Sequence, residues 1–212
     1  MQNPDWAKLA REIHADNKAA GWWTDLKTGV DLTATRDRLN MSMLIITELA
    51  EAADAYSRDA FDDELPQYKG VGVELADAQI RILDRFGADC WEAAYVPYEV
   101  MPDENFDRDF TVAVMHISDA AGHDRKGRIP EACSSLTNAL NYIEAWGRSL
   151  GFDMHELREA KREYNRHRPD YKPENRRAEA ESVAAREAVW SWYTSVARSA
   201  LCSIRCGDCD RL

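Results

Sequence analysis

The stretches "MLIITELAEAADAYSRD" (residues 43–59) and "GVGVELADAQIRILDRFG" (residues 70–87) decide the reading of this chain. In both, apolar residues recur at the three- and four-residue spacing of a buried helix face. Ile45, Ile46, Leu49 and Ala52 mark the first; Val73, Leu75, Ile80 and Leu83 mark the second. Yet Glu48 and Glu51 lie among the first set, and Glu74 and Asp77 among the second. Core-like helices that each carry a pair of carboxylates call for an explanation in chemistry or in charge balance.

Working outward, the same periodicity covers most of the 212 residues. It predicts helices at about 5–19, 35–60, 66–87, 107–123, 128–150, 153–165 and 175–204. Prolines near helix starts (Asn3-Pro4-Asp5, Leu65-Pro66, Ile129-Pro130) support these starts. Gly21, Gly87 and Gly151 suggest left-handed caps at helix ends. "FTVAVMHI" (110–117) is the one serious strand candidate, and it also reads as helix. "VPYEVMPDENFD" (96–107) and "RHRPDYKPENRR" (166–177) read as loops. The expected fold class is therefore all-α.

Bulk properties narrow the partners. A hydrophobic content of 45% suffices for a core. No apolar run is long enough for a membrane span, and the N-terminus lacks a secretory pattern. The net charge of −11 speaks against a general nucleic-acid binder and for metal ions or small ligands. Five cysteines, an odd number at wide spacing, suggest reduced thiols in a cytoplasm. Three of them, Cys202, Cys206 and Cys209, cluster in the tail. That is short of the four ligands of a zinc site, so a flexible, oxidation-prone end is the expectation.

On a helix, i and i+3 lie about 60° apart, so each acidic pair shares a face. The short connection "AFDDEL" makes the two helices antiparallel neighbours. Two carboxylates about 4 Å apart repel by roughly 4 kcal/mol at an effective dielectric of about 20. Four together require protonation, good solvation or a cation. Oxygen-only donors suit Mg²⁺ or Mn²⁺. The plainer reading is a solvated acidic face, which would carry lysines or arginines at i+4. Residues 41–57 and 70–80 contain neither, which favours a cation from outside.

These residues carry a resemblance. "ELAEA" followed by "ELADAQIRILD" resembles the ExxE…ExxD signature of the MazG-like all-α nucleoside triphosphate pyrophosphohydrolases. "NKAAGWW" (17–23) resembles the segment before the first metal helix in phage and bacterial members, and "KREYNRHRPDY" (161–171) resembles the downstream K…YN…RP motif. The order agrees over residues 17–87 and 153–172. Residues 88–150 and 173–212 do not align with a minimal family core, and Thr47 stands where a further Glu is usual. Dimeric dUTPases are a related branch with similar acids.

The resemblance implies a helical-bundle domain over 1–172, with 88–150 as an inserted helical segment and 173–212 as a C-terminal helix and Cys-containing tail. It implies Mg²⁺-dependent hydrolysis of a (deoxy)nucleoside triphosphate to the monophosphate and pyrophosphate, with a purine such as (d)GTP as the expected substrate. A dUTPase-like enzyme is the alternative. Glu48, Glu51, Glu74 and Asp77 would hold the metal, with Glu48 or Glu51 also orienting the attacking water. Lys161, Asn165 and Arg168 would meet the substrate rather than form a solvated basic helix end. Tyr171 would stack or donate. A homodimer or dimer of dimers is implied, located in the cytoplasm, or in the host cytoplasm if the chain is phage-encoded.

Two features stand outside the motif. Tandem tryptophans such as Trp22–Trp23 are usually core filler, but here Trp23 is expected near the base as a stacking face. "VWSWY" (189–193) fits a protein contact, and with it the competing reading of a non-catalytic helical interaction protein.

Overall fold

Aspartates and asparagines set most of the helix starts. Asp5, Asp37, Asn105 and Asp153 each accept hydrogen bonds from backbone N–H groups of the first helical turn. The computed structural model describes residues 3–96, 102, 105–169 and 172–175. Six helices follow in chain order: α1 (Trp6–Ala19), α2 (Arg38–Ser57), α3 (Gly70–Ala88), α4 (Phe106–Asp124), α5 (Ile129–Ser149) and α6 (Met154–His167). The described residues contain no β-strand, only isolated bridges between Thr24 and Asp31 and between Phe61 and Lys69. The fold is all-α. The strand candidate at 110–117 lies within α4. The last expected helix, "VWSWY" and the three tail cysteines fall outside the described residues.

Two helix boundaries differ from expectation, each for a local reason. Pro66 does not open α3. It occupies a turn closed by the Tyr68 N–H on the Leu65 carbonyl (2.9 Å), and α3 begins four residues later at Gly70. Proline serves equally as the first helical residue or as the second residue of such a turn. Gly87 is not a cap either. It lies inside α3 where α1 crosses, and a Cβ there would sit 2.3 Å from the His14 Cβ. The left-handed residue that ends α3 is Cys90 (φ 53°), with the Trp91 N–H returning to the Phe86 carbonyl at 2.8 Å. Gly21 and Gly151 do take positive φ, as expected.

α3 is the central element. It packs against α1, α2, α5 and α6, while α4 packs against α2 and α5. The middle segment shares this core. Ala113, Ile117, Leu136, Leu140, Ile143 and Trp146 are buried in one cluster with Ile45, Leu49, Leu75 and Leu83. No helix among the described residues is long and apolar enough to cross a membrane.

Two buried charge networks fix the helices that carry the acids and the basic motif. Arg85 of α3, 1% exposed, donates from both terminal nitrogens to Asp124 of α4 (2.7 Å each). Its Nε donates to Asp89, which also takes Arg38 of α2. On the other side, Arg158 of α6 donates to Gln79 of α3 (2.6 Å) and to Glu144 of α5. Gln79 also donates to Glu144 (3.1 Å). Burying these charges is costly, but each is paired, and removing one partner would cost about 3–5 kcal/mol. Close approach helps as well: Gly72 of α3 leaves room for Leu157 and Phe152, which a Cβ would meet at 2.8 and 3.1 Å.

Candidate metal centre and anion pocket

Because Glu48 is one turn from Glu51 on α2, and Glu74 is one turn from Asp77 on α3, packing α2 against α3 brings the two acidic faces together. Glu48, Glu74 and Asp77 place carboxylate oxygens within 4.8 Å of one another. Glu51 lines the same cavity, of about 540 Å³, but stands outside this close group and is more open to solvent. The cavity also holds Asp54, Asp62, Asp63 and Glu64.

The crowding changes the acids. Burial, and then the neighbouring Asp77, push the Glu74 carboxyl up to about 9. Burial also lifts Asp77, to about 6, despite the nearby Lys161 ammonium. Glu51 is raised too, first by partial burial and then by Glu48. These are the directions expected where negative charges are gathered with little water between them. With oxygen donors only, the trio fits a hard divalent cation.

The acids are better balanced than the sequence suggests. Arg81, one residue beyond the charge-free window, pairs with Glu48. Lys161 crosses from α6 and donates to Asp77 (3.1 Å) and to Glu64 (2.7 Å). Among the described residues neither Glu74 nor Glu51 forms a direct ion pair; Lys161 favours their charged forms only from a longer distance.

The basic motif assembles at one edge of this cleft. Lys161 and Asn165 share the buried face of α6, and Arg168 is its C-cap residue. Lys161 is not at a helix end, as expected from sequence, but near the middle of α6 with its side chain 5% exposed. Arg168 reaches Glu64 at 3.2 Å. Tyr171 lies outside the described residues. The Asn165 Oδ1 is buried without a hydrogen-bond partner among the described residues. Asn165 lines a second cavity, of about 180 Å³, with Trp22, Arg36, Asn17, Met41 and Leu44. Asp77, Arg81 and Arg168 border both cavities, so the two adjoin.

The tandem tryptophans divide in the opposite sense to the expectation. Trp23 is 1% exposed, and its indole N–H is held by Asp84 at 2.9 Å, with His14 on the same carboxylate. Arg36 stacks over its ring at 4.9 Å. Trp23 is therefore core, and no face is left for a ligand. The half-buried Trp22 lines the cavity instead. Sequence reasoning also missed Arg36 and Glu64. Glu64 stands in an acidic loop, "DDE", whose composition signals solvent exposure rather than a place in a site. No family model, no curated protein and no solved structure matches the chain.

Proposed function

We propose that the chain is a divalent-metal-dependent nucleoside triphosphate pyrophosphohydrolase of the MazG-like kind. The observation that carries this reading is the meeting of a three-carboxylate cluster with Lys161 and Arg168 at the edge of a small cavity bordered by Trp22. Glu48, Glu74 and Asp77 would hold Mg²⁺ or Mn²⁺. When bound, the metal supplies charge neutralisation for the phosphates and a more acidic water.

The chain's own residues supply the rest. Lys161 meets phosphate oxygens as a point charge, and Arg168 as a planar fork. Glu51, open to solvent beside the cluster and more basic than an ordinary carboxylate, takes a proton from the attacking water. The water oxygen joins phosphorus as the phosphoanhydride P–O bond breaks. The products are the nucleoside monophosphate and pyrophosphate, which leaves with the bond's electron pair.

The adjoining cavity suits a nucleobase. Trp22 offers a stacking face, Arg36 offers donors, and the unpartnered Asn165 Oδ1 offers an acceptor for a base N–H. A guanine edge, with both acceptors and donors, uses this set fully, which favours (d)GTP. Uracil uses the Asn165 acceptor through its N3–H, and dUTP is the second substrate to test. The exposed Leu39 and Met43 on α2 are available for the partner subunit of a homodimer or dimer of dimers. A cytoplasmic site of action fits free thiols at Cys90 and Cys133.

The test is pyrophosphate release over all dNTPs and NTPs, with Mg²⁺, with Mn²⁺ and in EDTA. One or a few nucleotides should be turned over, and only with metal. Turnover that persists undiminished in metal-free buffer removes the metal from the reading. No turnover of any nucleotide leaves a non-catalytic interaction protein in its place.

A further inference from the structure

We infer that Glu64 is a built-in stand-in for a phosphate group, holding Lys161 and Arg168 in place until an entering phosphate displaces it. This rests on the reading of Lys161 and Arg168 as phosphate-binding residues. It adds a residue that neither acidic pair nor the basic motif contains.

The Glu64 carboxylate spans the two cations with one oxygen each. Oε2 accepts from the Lys161 ammonium at 2.7 Å, and Oε1 pairs with the Arg168 guanidinium at 3.2 Å. Both cations also lie against the Tyr164 ring, at 5.8 and 5.6 Å from its centroid, so the aromatic face backs the pair. A carboxylate with two oxygens on two converging cations has the geometry of a phosphate oxygen pair at the same place. Its charge of one is smaller than that of a triphosphate terminus, so the stronger anion wins the exchange.

The loop that carries Glu64 is built to present it. Asp62, 7% exposed, accepts from the Glu64 N–H (3.0 Å) and the Leu65 N–H (2.7 Å). The Tyr68 hydroxyl donates to Glu156 of α6 at 2.8 Å, tying the loop to the helix that carries Lys161. The side chain is 30% exposed, so an incoming anion can approach it from solvent. Displacement leaves Lys161 in place, because Asp77 still holds its ammonium at 3.1 Å. In the free protein Glu64 therefore occupies the face that Lys161 and Arg168 share, at the cost of competing with the ligand.

Competition of this kind has a sign that a structural role lacks: removing the charge should tighten anion binding. Glu64→Gln keeps the shape and loses the charge. Calorimetric titration with inorganic pyrophosphate, in Mg²⁺ and separately in EDTA, should show a gain of about threefold to tenfold over wild type in each condition, the span from an exposed to a half-buried ion pair. Glu64→Asp keeps the charge and should stay within about twofold of wild type. Glu64→Ala replaces the Gln variant if thermal melting shows the latter to be unfolded. A neutral variant that binds pyrophosphate equally or more weakly overturns the inference. So does a gain in the Asp variant equal to that in Gln, or no pyrophosphate binding by any form. The variant-to-variant ratio reads Glu64, while the ratio between Mg²⁺ and EDTA reads the metal. A gain in a protein that hydrolyses no nucleotide would therefore uphold the anion exchange and refute only the catalytic reading.

Discussion

Neutralising Glu74 should stabilise the metal-free protein, and the pH at which it does so is fixed by the structure. Its folded-state carboxyl titrates near 9, against a usual value of 4.5. Between those values the folded chain binds a proton that the unfolded chain has released. Stability at this site is therefore fully present below about pH 4.5 and falls as pH rises towards 9. Each pH unit in the window costs about 1.4 kcal/mol. At pH 7, about 2.5 pH units into that window, the cost is about 3.4 kcal/mol, trimmed to about 2–3 kcal/mol because water reaches this half-buried group. Glu74→Gln keeps the volume and removes the titration. In EDTA it should exceed wild type by about 2–3 kcal/mol at neutral pH, and the difference should vanish near pH 4.5. Mg²⁺ should close the gap from the other side, by binding the folded wild type. Urea unfolding of both proteins, followed by circular dichroism from about pH 5 to pH 8, reads the difference directly. A Gln variant no more stable than wild type at the alkaline end would refute the reasoning. Asp77→Asn should not show the same gain, because Lys161 loses one of its two carboxylates.

Three further outcomes can be measured. Trp22→Ala should raise KM for the best nucleotide by the equivalent of about 1–3 kcal/mol of stacking with little change in melting, whereas Trp23→Ala should cost about 3–5 kcal/mol of stability. Arg85→Met leaves Asp89 and Asp124 buried with fewer partners and should destabilise by about 3–5 kcal/mol in urea titration. Cys90→Gly relieves a left-handed backbone at the end of α3 and should raise stability by about 0.5–1 kcal/mol, net of the added freedom of glycine in the unfolded chain.

The helices were legible because their signals are local. The apolar spacing of α1 to α6 and the capping aspartates lie within a few residues of the structure that they specify. The acidic faces were legible for the same reason, since i and i+3 on one helix need no tertiary knowledge. What the sequence withheld depends on distant partners. Gly87 reads as a helix end until α1 is seen to cross it. Pro66 has the same φ in a turn as at a helix start, so its side of the boundary is open. Arg81 stands one turn past Asp77 but pairs across to Glu48 of the other helix, and Lys161 reaches the acids from α6, far outside either stretch. Lys161 lies 97 residues from Glu64, and no periodicity spans that distance. Tandem tryptophans must point in different directions, and only packing against Asp84 and His14 decides which one goes inside.

The long reach of Lys161 bears on the order of assembly. α2 and α3 can pair early, being joined by a short loop and needing only local closure. Their carboxylates then face one another without the ammonium that α6 brings. The half-formed bundle is thus repulsive at the place where the finished one is to act, and docking α6 relieves part of that strain. A divalent cation binding to the α2–α3 pair would supply the missing charge sooner, so refolding rate, and not only final stability, should respond to metal. Refolding rates measured with and without Mg²⁺ test this: acceleration by the cation is the expected outcome, and an unchanged rate removes it from the assembly step.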